Sequence, residues 1–168
     1  MQPAPSVPVP SAHQHTGWRF GVVLLVGAGV LLIDQVSKAL VRRGLASGNS
    51  IDLFGGLVRL DFTRNQGAAF GILRQEGGIF ILVALLVTGG ILAYHRRISR
   101  APLLARLGLG LVLGGALGNV LDRLRLGYVV DFVDLRWWPV FNLADSAIVI
   151  GVCALALYSV LDSSANSS

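Results

Sequence analysis

The chain has 168 residues, of which 54% are hydrophobic and 14% charged, where a soluble domain carries about 25% charged residues. With a mean hydropathy of +0.68, this excludes an ordinary soluble globular protein and leaves one membrane-embedded domain. The formal net charge of +5 comes mostly from arginines scattered between apolar runs, so the expected partner is anionic membrane lipid and not nucleic acid.

Residues 1–16 hold four prolines, serine and glutamine, and read as a disordered tail in which His13 and His15 are solvated. A first apolar span covers about 17–41. It continues through Asp34 and Lys38 to further apolar residues, and so reads as retained rather than as a cleaved leader. Further spans are expected at about 77–94, 102–121 and 139–161. Each is near the ~20 residues that cross ~30 Å of hydrocarbon. The expected fold class is therefore an all-α membrane protein with four transmembrane helices over 17–162, followed by a flexible tail over 163–168. Glycines inside the spans, as at Gly114 and Gly115, let helices approach closely.

Two connections are more than loops. Residues 57–65 alternate apolar and polar over Val58, Leu60 and Phe62, the period of a half-buried strand. Residues 128–135 are β-branched and aromatic, and are expected to pair with the first strand in a small extramembrane sheet. Trp137 and Trp138 are expected at headgroup depth, with Pro139 in the first turn of the fourth span. Cys153 is the only cysteine, which excludes an intrachain disulfide and a cysteine metal cluster. It reads as a small packing residue inside the last span.

Four spans place the end of the first, the start of the second, the end of the third and the start of the fourth on one membrane face. Almost every unusual polar residue falls there: Asp34 and Lys38, Asn65 and Gln66, then Asn119, Asp122 and Arg123, then Asp131, Asp134, Asn142 and Asp145. Each has an ordinary reading. Asp34 and Lys38 are spaced as an i,i+4 ion pair, Asp122 with Arg123 as a helix-end pair, Asn142 as a cap. Their coincidence on one face favours a site, because ionisable groups at membrane depth are costly and mark function.

There is no Gly-x-Ser-x-Gly elbow, no His-Glu-x-x-His zinc helix and no glycine-rich phosphate loop. No metal site is expected. A serine–lysine protease would have to use Ser146 with Lys38, the only lysine. A small ion or proton transporter using Asp34, Lys38 and Asp122 would need polar residues on both faces. Paired carboxylates remain. Two close aspartates share one proton, so that one acts as base on a water while the other donates to a carbonyl.

At these residues the chain resembles the lipoprotein signal peptidases (signal peptidase II), membrane aspartyl proteases of bacteria. The matching pieces are Asp34-Gln-Val-Ser-Lys38, Asn65-Gln-Gly-Ala-Ala-Phe-Gly71, Gly114-Gly-Ala-Leu-Gly-Asn-Val-Leu-Asp-Arg123, Gly127-Tyr-Val-Val-Asp-Phe-Val-Asp134 and Phe141-Asn-Leu-Ala-Asp-Ser146, in the family's order. The resemblance implies Asp131 and Asp145 as the catalytic pair. It implies supporting roles for Asp34, Lys38, Asn65, Gly67, Asn119, Asp122, Arg123, Asn142 and Ala144. It further implies an extramembrane β-cradle and the absence of any metal or organic cofactor. The implied substrates are diacylglyceryl-modified prolipoproteins, cut before the lipidated cysteine. The implied setting is the bacterial cytoplasmic membrane, with a monomer whose active site is on the extracytoplasmic face. Charge counting pulls the other way. Arg42, Arg43, Arg123 and Arg125 gather on the site face, which the positive-inside rule would put in the cytoplasm.

Overall fold

The computed structural model describes residues 16–66, Leu86, Gly89, Gly90, Ala93, Ile98 and 101–165. Three long helices are described: α1 (Thr16–Leu45), α2 (Leu103–Leu126) and α3 (Leu143–Ala165). Each is long and apolar enough to span a bilayer, with mean hydropathies of 2.0, 1.6 and 2.0. The span expected at 77–94 lies almost wholly outside the described residues.

At 30 residues, α1 is about 45 Å long, longer than the ~30 Å of hydrocarbon it could cross, and its last turn carries Arg42 and Arg43. Gly127 ends α2 in a left-handed conformation (φ 77°), its N–H donating to the Arg123 carbonyl at 3.0 Å. The fourth span starts later than expected. Pro139 is not in its first turn but ahead of the helix, because Asn142 supplies the cap.

Helix α2 lies between the other two and reaches both through backbone. A side chain at Gly114 would strike the Gly27 carbonyl of α1, and one at Gly115 the Ala144 carbonyl of α3. Glycine is needed at both positions to let the helices touch. The outer faces keep their apolar side chains exposed, for example Leu25 at 75% and Val160 at 63%, as lipid-facing residues should be. Cys153 is also exposed on α3, which corrects its reading as an interior packing residue.

The sheet has three antiparallel strands in the order β1 (Ile51–Leu53), β2 (Val58–Asn65) and β3 (Val129–Asp134). Strands β2 and β3 are the two that alternation and β-branching predict. Between β1 and β2 a turn carries left-handed Phe54, Gly55 and Gly56. Leu60 pairs with Val133, the register then shifts, and Thr63 faces Asp131. Such a bulge re-aims the side chains that follow it. The end of α1 seats the sheet through Val41 and Leu45, which pack on Val130 and Phe132. Phe141 adds a bridge: its carbonyl accepts from the Phe132 and Val133 N–H groups at 3.0 and 2.8 Å, tying the start of α3 to β3.

Candidate active site

Most of the polar residues singled out in sequence meet where α1, α2, β3 and the start of α3 converge; Asp134 does not join them and accepts instead from the Arg136 N–H at 2.7 Å, and Gln66 is exposed. At their centre is the Lys38 ammonium, 2% exposed. Its three protons have three acceptors: Asp34 Oδ2 at 2.9 Å, Asp122 Oδ2 at 3.0 Å and Asn119 Oδ1 at 2.9 Å. The ion pair spaced along one helix is thus a junction between two helices. A buried charge of this kind is tolerated only when every donor is matched.

From this junction the network runs to both candidate catalytic carboxylates. Asn119 donates through Nδ2 to Asp145 Oδ1 at 2.7 Å. Asn142 donates through Nδ2 to Asn119 Oδ1 at 3.2 Å and to Asp131 Oδ1 at 2.6 Å. Asn142 and Asp145 also cap α3 reciprocally: the Asn142 side-chain oxygen accepts the Asp145 N–H at 2.9 Å, and Asp145 Oδ2 accepts the Asn142 N–H at 3.2 Å. One asparagine therefore holds both acids. Asn65, re-aimed by the bulge, donates to Asp131 Oδ2 at 2.7 Å.

The remaining residues hold this frame. Asp34 Oδ1 accepts the Ala144 N–H at 3.1 Å and so seats the helix start that carries Asp145. Ala144 acts through its backbone. Asp122 Oδ2 accepts the Val130 N–H at 3.1 Å, fixing the strand residue before Asp131. Arg123 donates to the Asn119 carbonyl at 3.4 Å and lies in the field of Asp145, Asp131 and Asp122. Gly67 lies outside the described residues.

Two contributors carried no separate reading in the sequence. Gln35 donates to Asp122 Oδ1 at 3.0 Å, to Asp34 Oδ2 at 3.2 Å and to the Gly118 carbonyl at 3.3 Å. Its place between Asp34 and Lys38 was the available clue. At Gly118 a Cβ would stand 2.5 Å from Asp34 Oδ2. Gly118→Ala should therefore push the Asp34 carboxylate off the α3 start, costing about 1–3 kcal/mol of stability. We expect at least tenfold loss of activity and a lower melting temperature in detergent. Wild-type values for both would refute the contact.

The electrostatics distinguish Asp131. It is 1% exposed, and burial pushes its carboxyl up to about 6. The Asp145 charge adds to the rise, while hydrogen bonds from Asn65 and Asn142 and the charge of Lys38 oppose it. Burial and the Asp145 charge thus act in the same direction on Asp131, favouring its protonated form. Beside Asp145 lies an apolar cavity of about 420 Å³ lined by Leu135, Trp137, Trp138, Phe141, Val149 and Ile150. Among the described residues no group of side chains could hold a metal ion.

The signal peptidase II family model matches residues 26–161. The chain belongs to that family. A relative named lipoprotein signal peptidase from Moorella thermoacetica is 51% identical over 132 residues, 79% of this chain and 88% of its own. One of the same name from Halothermothrix orenii is 44% identical, covering 82% of this chain and 94% of its own. Two solved structures described as bacterial membrane enzymes, obtained in meso, superpose with TM-scores of 0.78 and 0.74. They are 29% and 30% identical and cover 88% and 82% of this chain, and 92% and 91% of theirs. Membership makes the chain a membrane-bound bacterial protease. It leaves the transporter reading without support. The serine–lysine reading also fails on geometry, because Lys38 spends its three protons on other partners and the Ser146 hydroxyl donates to the Asn142 carbonyl at 3.1 Å.

Proposed function

We propose that the chain is an aspartyl endopeptidase that removes signal peptides from lipid-modified prolipoproteins, cutting before the diacylglyceryl cysteine. The observation that carries this reading is the Asn142 bridge, with hydrogen bonds to Asp131 Oδ1 and Asp145 Oδ2 from one residue. Asp131, the carboxyl pushed up by burial, holds the shared proton and donates it to the scissile carbonyl oxygen. Asp145 takes a proton from the attacking water. The carbonyl carbon passes through a tetrahedral state with no covalent bond to the enzyme. Asp145 then gives that proton to the leaving nitrogen as the C–N bond breaks, and one hydroxyl of the tetrahedral carbon returns its proton to Asp131, leaving a carboxylic acid, an amine and the regenerated pair.

The apolar cavity beside Asp145 suits the acyl chains of the substrate, which would hold the scissile bond at headgroup depth. The chain would work as a monomer, with a fourth helix over 77–94 completing the bundle and the site facing the extracytoplasmic side. Anchoring enzyme and substrate in one bilayer raises their effective concentration.

The test is the pH profile of cleavage of a diacylglyceryl-modified precursor, with the unmodified precursor uncut. The free enzyme loses the shared proton as pH rises through about 6. Hence kcat/KM should fall about tenfold per pH unit above that value. Bound substrate excludes more water, so the fall in kcat should come at higher pH. A flat kcat/KM from pH 6 to pH 8, or equal cutting of the unmodified precursor, would remove the proposal.

A further inference from the structure

On the other side of the Lys38 junction, at the ends of α1 and α2, is a second cavity of about 90 Å³. Gln35, Lys38, Arg42, Asp122, Arg125 and Val130 line it. It does not reach the apolar cavity's residues, and the proposed hydrolysis makes no use of it. Arg42 and Arg125 both line it, and among the described residues neither has an ion pair or hydrogen bond to another side chain. These are two of the arginines that make the site face too basic for the positive-inside rule.

The charge balance at this cavity is specific. Lys38 is neutralised within its contacts to Asp34 and Asp122, which together leave one negative charge in excess. Arg42 and Arg125 outweigh it by one positive charge. A single negative charge restores neutrality, and the volume accepts one phosphate-sized group. The cavity lies at the last turns of two span-length apolar helices, and phospholipid phosphates lie where such spans end. Arginine forks match phosphate oxygens in bidentate fashion.

We propose that this cavity binds a phosphate monoanion, the phosphodiester of an anionic phospholipid, clamped between Arg42 and Arg125. Its wall is also part of the active-site frame, because Lys38 holds Asn119 and Asp122 holds the Val130 N–H. Occupancy would brace that frame. The binding claim stands alone, and the effect on cleavage rests on the proposed peptidase activity.

The experiment compares the wild-type chain, Arg42→Gln/Arg125→Gln and Arg43→Gln. Arg43 lies at the same helix end and does not line the cavity. Phosphatidylglycerol retention is read by native mass spectrometry and by thermal stabilisation in detergent. Cleavage is read in phosphate-free alkyl maltoside micelles with and without phosphatidylglycerol. The expected result is a retained phosphatidylglycerol in the wild type and in Arg43→Gln, with affinity lowered about tenfold per arginine in the double variant. Phosphatidylglycerol should raise cleavage in the first two only, and all three should cleave alike in the micelles without lipid. Stabilisation by inorganic phosphate to the same degree would replace the lipid by the free anion. Equal weakening in Arg43→Gln, or undiminished binding in the double variant, would overturn the site. Binding as expected with no cleavage in any sample would leave the site standing and overturn the peptidase reading instead.

Discussion

Asp131→Asn and Asp145→Asn, made separately, should each lower cleavage of a lipidated precursor by at least about 10³-fold, because each removes a proton-transfer group. Their stabilities should diverge. In Asp131→Asn the side-chain oxygen faces Asn142, whose amide is locked by its other bonds, and the new NH₂ group faces Asn65. Asn65, half-buried at the end of β2, must turn its amide to accept, an adjustment outside the Lys38 junction. The variant also loses a buried charge. A carboxyl raised by burial adds stability that is fully present below its unfolded value of 3.8 and is lost as pH rises through about 6. The asparagine avoids that loss, so Asp131→Asn should melt at or above the wild-type temperature at pH 7.

Asp145→Asn has no such relief. Both its carboxylate oxygens accept, from Asn119 Nδ2 and from the Asn142 N–H. Asn119 cannot turn, because its oxygen sits between Lys38 and Asn142. One donor must then face another, at a cost of about 1–3 kcal/mol. Thermal unfolding in detergent beside the cleavage assay separates the two variants. Cleavage by either one at more than a tenth of the wild-type rate would sink the two-carboxylate mechanism.

The second large effect is expected at Lys38, which reaches Asp145 through Asn119 and not directly. Lys38→Met keeps the length and apolar stem but leaves Asp34 and Asp122 facing each other without their cation. Removing one partner of a buried ion pair costs about 3–5 kcal/mol, a large share of a typical folding free energy. Activity should fall with stability, since Asn119 loses one of the two contacts that orient it toward Asp145. Adding Asp122→Asn to Lys38→Met should recover part of the melting temperature without restoring cleavage. A single variant that melts like the wild type would show that the junction is not structural.

Much of the architecture was legible because membrane segments and strands are local patterns. Long apolar runs announced α1, α2 and α3, and alternation over Val58, Leu60 and Phe62 announced β2. Strand β1 is too short at three residues to show a period. The late start of α3 was hidden because an apolar count cannot tell Trp137–Phe141 as lead-in from the first helical turn. Gln35 and Gly118 lacked separate readings for another reason: each acts on a partner more than eighty residues away along the chain.

Residue spacing and span count alone put the acids, asparagines and Lys38 at one membrane face. Which acceptor each donor meets was decided only in three dimensions. The bulge between Leu60 and Thr63 aims Asn65, and the Phe141 bridge draws α3 to β3. Hydrogen bonds hold over about 3 Å, so a polar cluster becomes a site only when packing sets its parts within that reach.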